Sequence, residues 1–365
     1  MHNSRNDPDP KYRPRLSRRT FLRGSATALA ATGGSALLSS CGGGGAQSSA
    51  GGGQTSGGKI AVTFLTVLPL TSLTFSPELL ADAGGYFADN GLDVTFQTSR
   101  GSAQAIQLVL AGSAGLTRIG QIEGMEAAAN RGAPIANVGT VIKESTIRYV
   151  SSRQEPLQKP QDFVGKTIGI PSEGGTSETT LDLVLSTNGI DPKQVKRQVV
   201  GLSPGVFNLV KKGRLAGYAV SIDTAKILQQ QRSGVAVFRP GEFMTSGAQF
   251  YMTSQDSLKQ DKKTIGKYIE SVYAALEFMV NDENHEKTLE IMRKKYSFDT
   301  LKNTSIAKAS LDEYVRVWTS AGKENILKTL PENWSKGYKE LASVGQAESG
   351  ANPDEWFTNT LVPAS

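Results

Sequence analysis

Two loops of this 365-residue chain gather the groups that hold a small acidic molecule. Thr98-Ser99-Arg100-Gly101-Ser102 offers hydroxyls, free backbone N–H groups and a guanidinium just before a helical run. Pro171-Ser172-Glu173-Gly174-Gly175-Thr176-Ser177-Glu178 offers two glycines, which admit a ligand close to the backbone, and then three hydroxyl or carboxyl side chains. Helix N-termini attract anions through their unpaired N–H groups, and a guanidinium adds a fork of charged donors. Candidate contacts are therefore Ser99, Arg100, Gly101 and Ser102 in the first loop, and Ser172, Gly174, Gly175, Thr176 and Ser177 in the second. Thr66 and Leu68 after the first strand, Arg118 and Gln121 at another strand end, and Ser203, Ser221 and Asp223 farther on complete the set. Glu173 and Asp223 pull the other way and suit an amino group or a pyrimidine N–H. Plain helix capping is the alternative for each loop, with Ser or Thr at the cap and Glu in the first turn.

Other chemistries are poorly supplied. Cys41 is the only cysteine and His2 and His285 are the only histidines, so disulfides, thiol catalysis, His-based metal sites and a Ser-His-Asp triad are not expected. No catalytic residue, metal or cofactor is assigned. The net charge of +6 is concentrated at the start: residues 1–40 hold seven Lys/Arg and two Asp/Glu, and without them the chain carries +1. A near-neutral body gives no electrostatic reason to expect nucleic acid.

The basic start is organised. Ser17-Arg18-Arg19-Thr20-Phe21-Leu22-Arg23 precedes a weakly apolar run from Gly24, and Leu38-Ser39-Ser40-Cys41 closes it. This order of basic region, apolar region and small-residue cleavage site predicts a twin-arginine lipoprotein signal over residues 1–40, with Cys41 as the acylated residue. A chance Arg-Arg pair before an alanine-rich helix is the competing assignment. Residues 41–58 have the Gly/Ser composition of a flexible tether. The expected location is the outer face of the cell membrane, held by lipid, because no later stretch reaches about 18 apolar residues.

From Lys59 the chain alternates strand-type and helical runs, which predicts an α/β fold with two mostly parallel sheets flanked by helices. Strands are expected at 60–65, 92–96, 116–120 and 135–141, with helices at 77–90, 103–111 and 123–131 between them. The rhythm restarts with strands at 166–170, 195–200 and 215–221 and helices at 176–188, 205–212 and 224–231. A return strand at 249–254 leads into helices at 265–280, 286–295, 306–321 and 334–342. Residues 59–155 are assigned to the first part of lobe 1, 156–247 to lobe 2, and 248–365 to the return and the C-terminal helices. The joining segment is expected near 147–160, and a chain that crosses twice makes a hinge beside a cleft. All three tryptophans lie in the C-terminal helices, and Trp318, at helical spacing from Tyr314, is expected in the core.

Gly85-Tyr86-Phe87-Ala88-Asp89-Asn90-Gly91-Leu92-Asp93-Val94 resembles the GYF-x-x-x-GL-x-V segment of the nitrate/sulfonate/taurine-type solute-binding proteins of ABC importers, a group that includes binders of thiamine-pyrimidine precursors. The likeness continues through Ser102-Ala103-Gln104-Ala105-Ile106, Arg131-Gly132-Ala133-Pro134-Ile135, Asp162-Phe163-Val164-Gly165-Lys166 and Asn188-Gly189-Ile190-Asp191-Pro192. It implies a type II periplasmic-binding fold with the ligand between two lobes, contacts in the 171–178 loop, and a permease and ATPase as partners of a monomeric receptor. The sequence departs from the family at Gly112-Ser113-Ala114-Gly115-Leu116, which lacks the usual Asp, and at Gly213-Arg214-Leu215-Ala216-Gly217 with Ser221-Ile222-Asp223. Both changes touch strand ends that face the cleft. The expected function is capture of a small organic solute, of sulfonate or carboxylate type. The alternatives are a pyrimidine or thiamine precursor, a lipoprotein sensor, and a pyrimidine-synthase-like enzyme, the last opposed by the shortage of His and Cys.

Overall fold

Each strand expected from the alternating pattern forms in the computed structural model of the chain, which describes residues 55–56, 58–171, 173, 175–231 and 234–364. The expected export signal over residues 1–40, together with Cys41, Ser172 and Gly174, lies outside the described residues. In the first lobe β1 (Thr55–Ser56) and β2 (Lys59–Thr66) lead to α1 (Ser76–Ala83), α2 (Tyr86–Asp89), β3 (Leu92–Thr98), α3 (Ser102–Leu110), β4 (Leu116–Gly120), α4 (Gln121–Arg131) and β5 (Ile135–Ile142). The second lobe contains β6 (Arg148–Ser152), β7 (Thr167–Ile170), α5 (Thr176–Ser186), β8 (Lys196–Val199), α6 (Phe207–Lys211), β9 (Gly217–Val220), α7 (Ile222–Gln231) and β10 (Val235–Phe238). β11 (Gln249–Ser254) rejoins the first sheet. After it come α8 (Gln255–Gln260), α9 (Lys262–Asn281), α10 (Glu286–Arg293), α11 (Asp299–Lys302), α12 (Thr304–Trp318) and α13 (Pro331–Ser343).

The first sheet runs β3-β2-β4-β11-β5, with the two-residue β1 antiparallel to the start of β2. The second runs β10-β6-β9-β7-β8. β1 apart, each sheet has one reversed strand, β11 in the first and β6 in the second. Both are the first strand after a crossing between sheets. A chain that leaves one sheet where its parallel strands end must enter the other from that same side, so it runs backwards there. The carboxyl ends of the parallel strands in both sheets consequently face one gap, the usual place for a ligand in open α/β sheets.

Local chemistry explains where the elements differ from expectation. The helix expected over 77–90 is two helices, because Gly85 adopts φ +84° and a Cβ on Gly84 would stand 2.9 Å from the Leu80 carbonyl oxygen. The segment near 147–160, expected to join the lobes, contains β6 of the second sheet, and β10 and α8 are additional elements. β6 and β10 are five- and four-residue strands and pair with each other, support that comes from a distant segment rather than from local pattern.

The C-terminal helices complete the first lobe. Tyr268 of α9 stacks on Phe64 and Phe87 with ring centroids 5.2 and 5.0 Å apart. Tyr314 and Trp318 of α12 are buried and stacked, the core role their spacing predicts. α12 also reaches the second lobe: Glu313 accepts from Arg148 at 2.9 Å and from Arg239 at 3.3 Å. α13 holds the return crossing, where Glu340 accepts from the backbone N–H groups of Thr245 and Ser246. The two crossings touch, since a Cβ on Gly247 would meet the Ser145 nitrogen at 2.5 Å. No described helix is long and apolar enough to cross a membrane.

Candidate functional site

Two polar seams join the lobes across the gap. In one, the Asp223 carboxylate at the start of α7 accepts from Ser72 Oγ at 2.7 Å and from the Leu73 N–H at 3.0 Å. Asp223 is 4% exposed, and burial pushes its carboxyl up against the opposing effect of these bonds. In the other, Thr176 Oγ1 at the start of α5 donates to Glu123 Oε1 in the first turn of α4. Glu123 Oε2 is buried and has no hydrogen-bond partner. Burial raises this carboxyl too, with the Thr176 bond opposing, and burial together with the Glu123 charge pushes Glu126 up to about 7.

Behind the second seam lies a void of about 30 Å³ lined by Gln121, Glu123, Ser145, Thr146, Thr176 and Thr180 together with residues 246–249 of the return crossing. It has room for one or two waters, whereas drug-sized ligands occupy pockets of about 300–1,000 Å³. Admitting an organic solute therefore requires the lobes to part. Larger grooves of about 400 and 730 Å³ lie elsewhere, one between α10 and α12 and one where the strands of the second sheet begin. Neither borders the gap.

The expected contact residues divide by location. Gln121 and Thr176 border the void, Gly175 caps α5 beside them, and Asp223 closes the first seam. Ser177 is the second residue of α5 and its carbonyl accepts from the Tyr149 hydroxyl. Thr66 and Ser99 are buried where β2 and β3 end, and Ser99 Oγ donates to the Thr66 carbonyl at 3.1 Å. Leu68, at 50% exposure, and Arg100 stand open on the first-lobe lip. Gly101, with φ +87°, and Ser102 start α3 beside Arg100. Ser221 Oγ accepts from the Thr224 N–H at the start of α7, and Ser203 is exposed on the second-lobe side.

Arg118 does not face the gap as a free cation. It is 2% exposed, its Nη1 donates to both Glu78 oxygens at 3.0 and 3.1 Å, and its Nη2 donates to the Thr74 carbonyl at 2.8 Å. The guanidinium carbon lies 4.5 Å from the Phe75 ring centroid. Glu78 also accepts from Tyr251 at 2.8 Å, and burial still raises its carboxyl despite the Arg118 charge. The first-lobe cation available for an acid at the lip is Arg100. The sequence reading missed Ser72, Glu123, Ser145 and Ser246. Glu123 had a signal, an acid three residues past the glycine that ends β4, but it read as ordinary first-turn helix chemistry.

Comparison with known proteins gives concordant results. The sequence profile described as NMT1/THI5 like matches residues 72–285. The riboflavin-binding protein RibY of Chloroflexus aurantiacus is 23% identical over 302 residues, covering 80% of this chain and 84% of that protein. Among solved structures, the periplasmic nitrate-binding protein NrtA of Synechocystis PCC 6803 superposes with a TM-score of 0.61 at 13% identity, covering 82% of this chain and 86% of that one. The periplasmic aliphatic sulphonate binding protein SsuA of Escherichia coli superposes with a TM-score of 0.55 at 16% identity, covering 69% and 82%.

Proposed function

The chain belongs to the NMT1/THI5-like family, and from that premise we propose that it is the extracytoplasmic solute-binding component of an ABC importer. Its two mixed sheets flanked by helices make the type II periplasmic-binding fold. It captures a small organic solute between its lobes and passes it to a permease driven by an ATPase. The observation that carries this reading is the gap itself. Strand ends from both sheets converge there, polar seams close it, and the void left inside is about 30 Å³. A site that must open to load and close to hold is what a carrier protein needs.

An acidic group, sulfonate or carboxylate, fits the lip, where Arg100 is exposed beside the start of α3. The sulphonate- and nitrate-binding neighbours support that choice of chemistry. Nucleophilic or thiol catalysis has little to draw on, because the only described histidine, His285, bonds Asp312 at 3.0 Å and the only cysteine is Cys41. Cys41 acylation would keep the body at the outer membrane face, and loss of membrane fractionation in Cys41→Ala reads that out. Deleting the gene should abolish high-affinity uptake of the solute that the purified protein binds. Unchanged uptake with binding intact would favour a sensor over an importer component.

A further inference from the structure

Two buried carboxylate oxygens at the gap have no hydrogen-bond partner, Asp223 Oδ1 and Glu123 Oε2. The Ser310 and Tyr314 hydroxyls lie beside Asp223, whereas Glu123 lines the void between the lobes. Glu123 Oε1 takes the Thr176 hydroxyl proton from the opposite lobe, while Oε2 has no donor. An ionised carboxyl is acceptor-only, so a buried oxygen of this kind left unmatched is costly. The chain does hold a place for it. A Cβ on Gly120 would clash with Oε2, so the glycine that ends β4 is what lets the carboxylate lie back over the backbone. The void beside it is lined by side chains from both lobes and both crossings, among them Ser145, Thr146 and Thr180. A ligand group arriving here meets a preset acceptor at the point where the lobes touch.

We infer that Glu123 is the specificity-determining residue of the cleft, accepting on Oε2 an N–H of the solute, from an amide, imide or amino group that is neutral or cationic. The inference rests on the solute-binding reading and deepens it. When ionised, the Glu123 carboxylate repels an anionic group from this end, which leaves Arg100 on the lip to hold any acidic end. Because Thr176 bonds the other oxygen of the same carboxylate, an N–H seated on Oε2 is bound at the contact that closes the lobes.

The test is calorimetry on the purified protein with three probes: riboflavin, which carries an imide N–H; an aminopyrimidine, which carries an amino N–H; and an alkanesulfonate with no N–H. The wild type should bind at least one N–H probe, and Glu123→Gln should weaken that binding at least ten-fold while changing alkanesulfonate affinity less than two-fold. Gly120→Ala, which displaces the carboxylate, should act in the same direction, and Glu123→Asp should recover part of the loss. The ligand-free melting temperature of Glu123→Gln should hold, whereas a merely structural Glu123 would lower it and leave affinity alone. Equal affinity in wild type and Glu123→Gln, binding of the alkanesulfonate alone, or no binding of either N–H probe overturns the assignment. The importer reading is judged separately, by uptake in the deletion strain.

Discussion

Arg118 lies within β4 and Arg100 follows β3, two strands of the same sheet with β2 between them, yet their surroundings assign them opposite roles. Arg118 neutralises Glu78 inside the first lobe, so Arg118→Ala leaves a buried carboxylate alone and should cost about 3–5 kcal/mol in urea unfolding. Arg100 is exposed and its side chain carries no packing load, so Arg100→Ala should leave the unfolding midpoint nearly unchanged. For an acidic solute it should lower affinity roughly ten- to a hundred-fold in calorimetry, the scale of a charged hydrogen bond of about 1.5–3 kcal/mol. A stable Arg118→Ala, or an Arg100→Ala that binds normally, would reverse these roles. The sequence pattern was enough to put Arg118 on a strand and Arg100 just past one. It did not reveal that Glu78, forty positions earlier, lies under Arg118, because that pairing depends on α1 packing against the sheet. Glu123 escaped notice for the same reason, since its partner Thr176 comes from the other lobe.

The elements around the crossings set how the lobes are joined. Glu313 of α12 gathers Arg148 from β6, Arg239 just after β10, and Arg316 one turn along its own helix. Burial works to raise the Glu313 carboxyl, but hydrogen bonds and charge from Arg148 and Arg316 outweigh it and hold it at about 2. Its folded value lies below the ordinary 4.5, so the ionised group stabilises the fold fully above about pH 4.5, and that contribution is lost as pH falls through about 2. Glu313→Gln should therefore be less stable than wild type at neutral pH, with the gap narrowing between pH 4.5 and 2 in denaturant titrations. Parallel curves for the two proteins would contradict the ion-pair account. Periodicity located the long helices and the eight regular strands because each carries its own pattern. β6 and β10 lacked such a signal; they are held by the sheet, β6 between β9 and β10 and β10 at the edge beside β6. The break between α1 and α2 was written in Gly84-Gly85, but a double glycine inside an otherwise helical run could equally have been a tolerated defect.

At the scale of the whole molecule, one reversed strand per sheet brings the strand ends of both lobes to a common gap. The lobes meet there through Asp223 with Ser72 and Leu73, and through Thr176 with Glu123. The direct measurement is the distance between the two lips with and without solute. Leu68 and Val199 are exposed at 50% and 54% and follow or end strands on opposite sides of the gap, so spin labels at Leu68→Cys and Val199→Cys in a Cys41→Ala background can report it. Pulsed electron resonance should find a population with separated lips when no solute is present. Saturation with a solute that binds in calorimetry should collapse it to a single short distance. An identical distance distribution in both conditions would contradict the claim that this protein works by parting its lobes to load a solute and closing them to hold it.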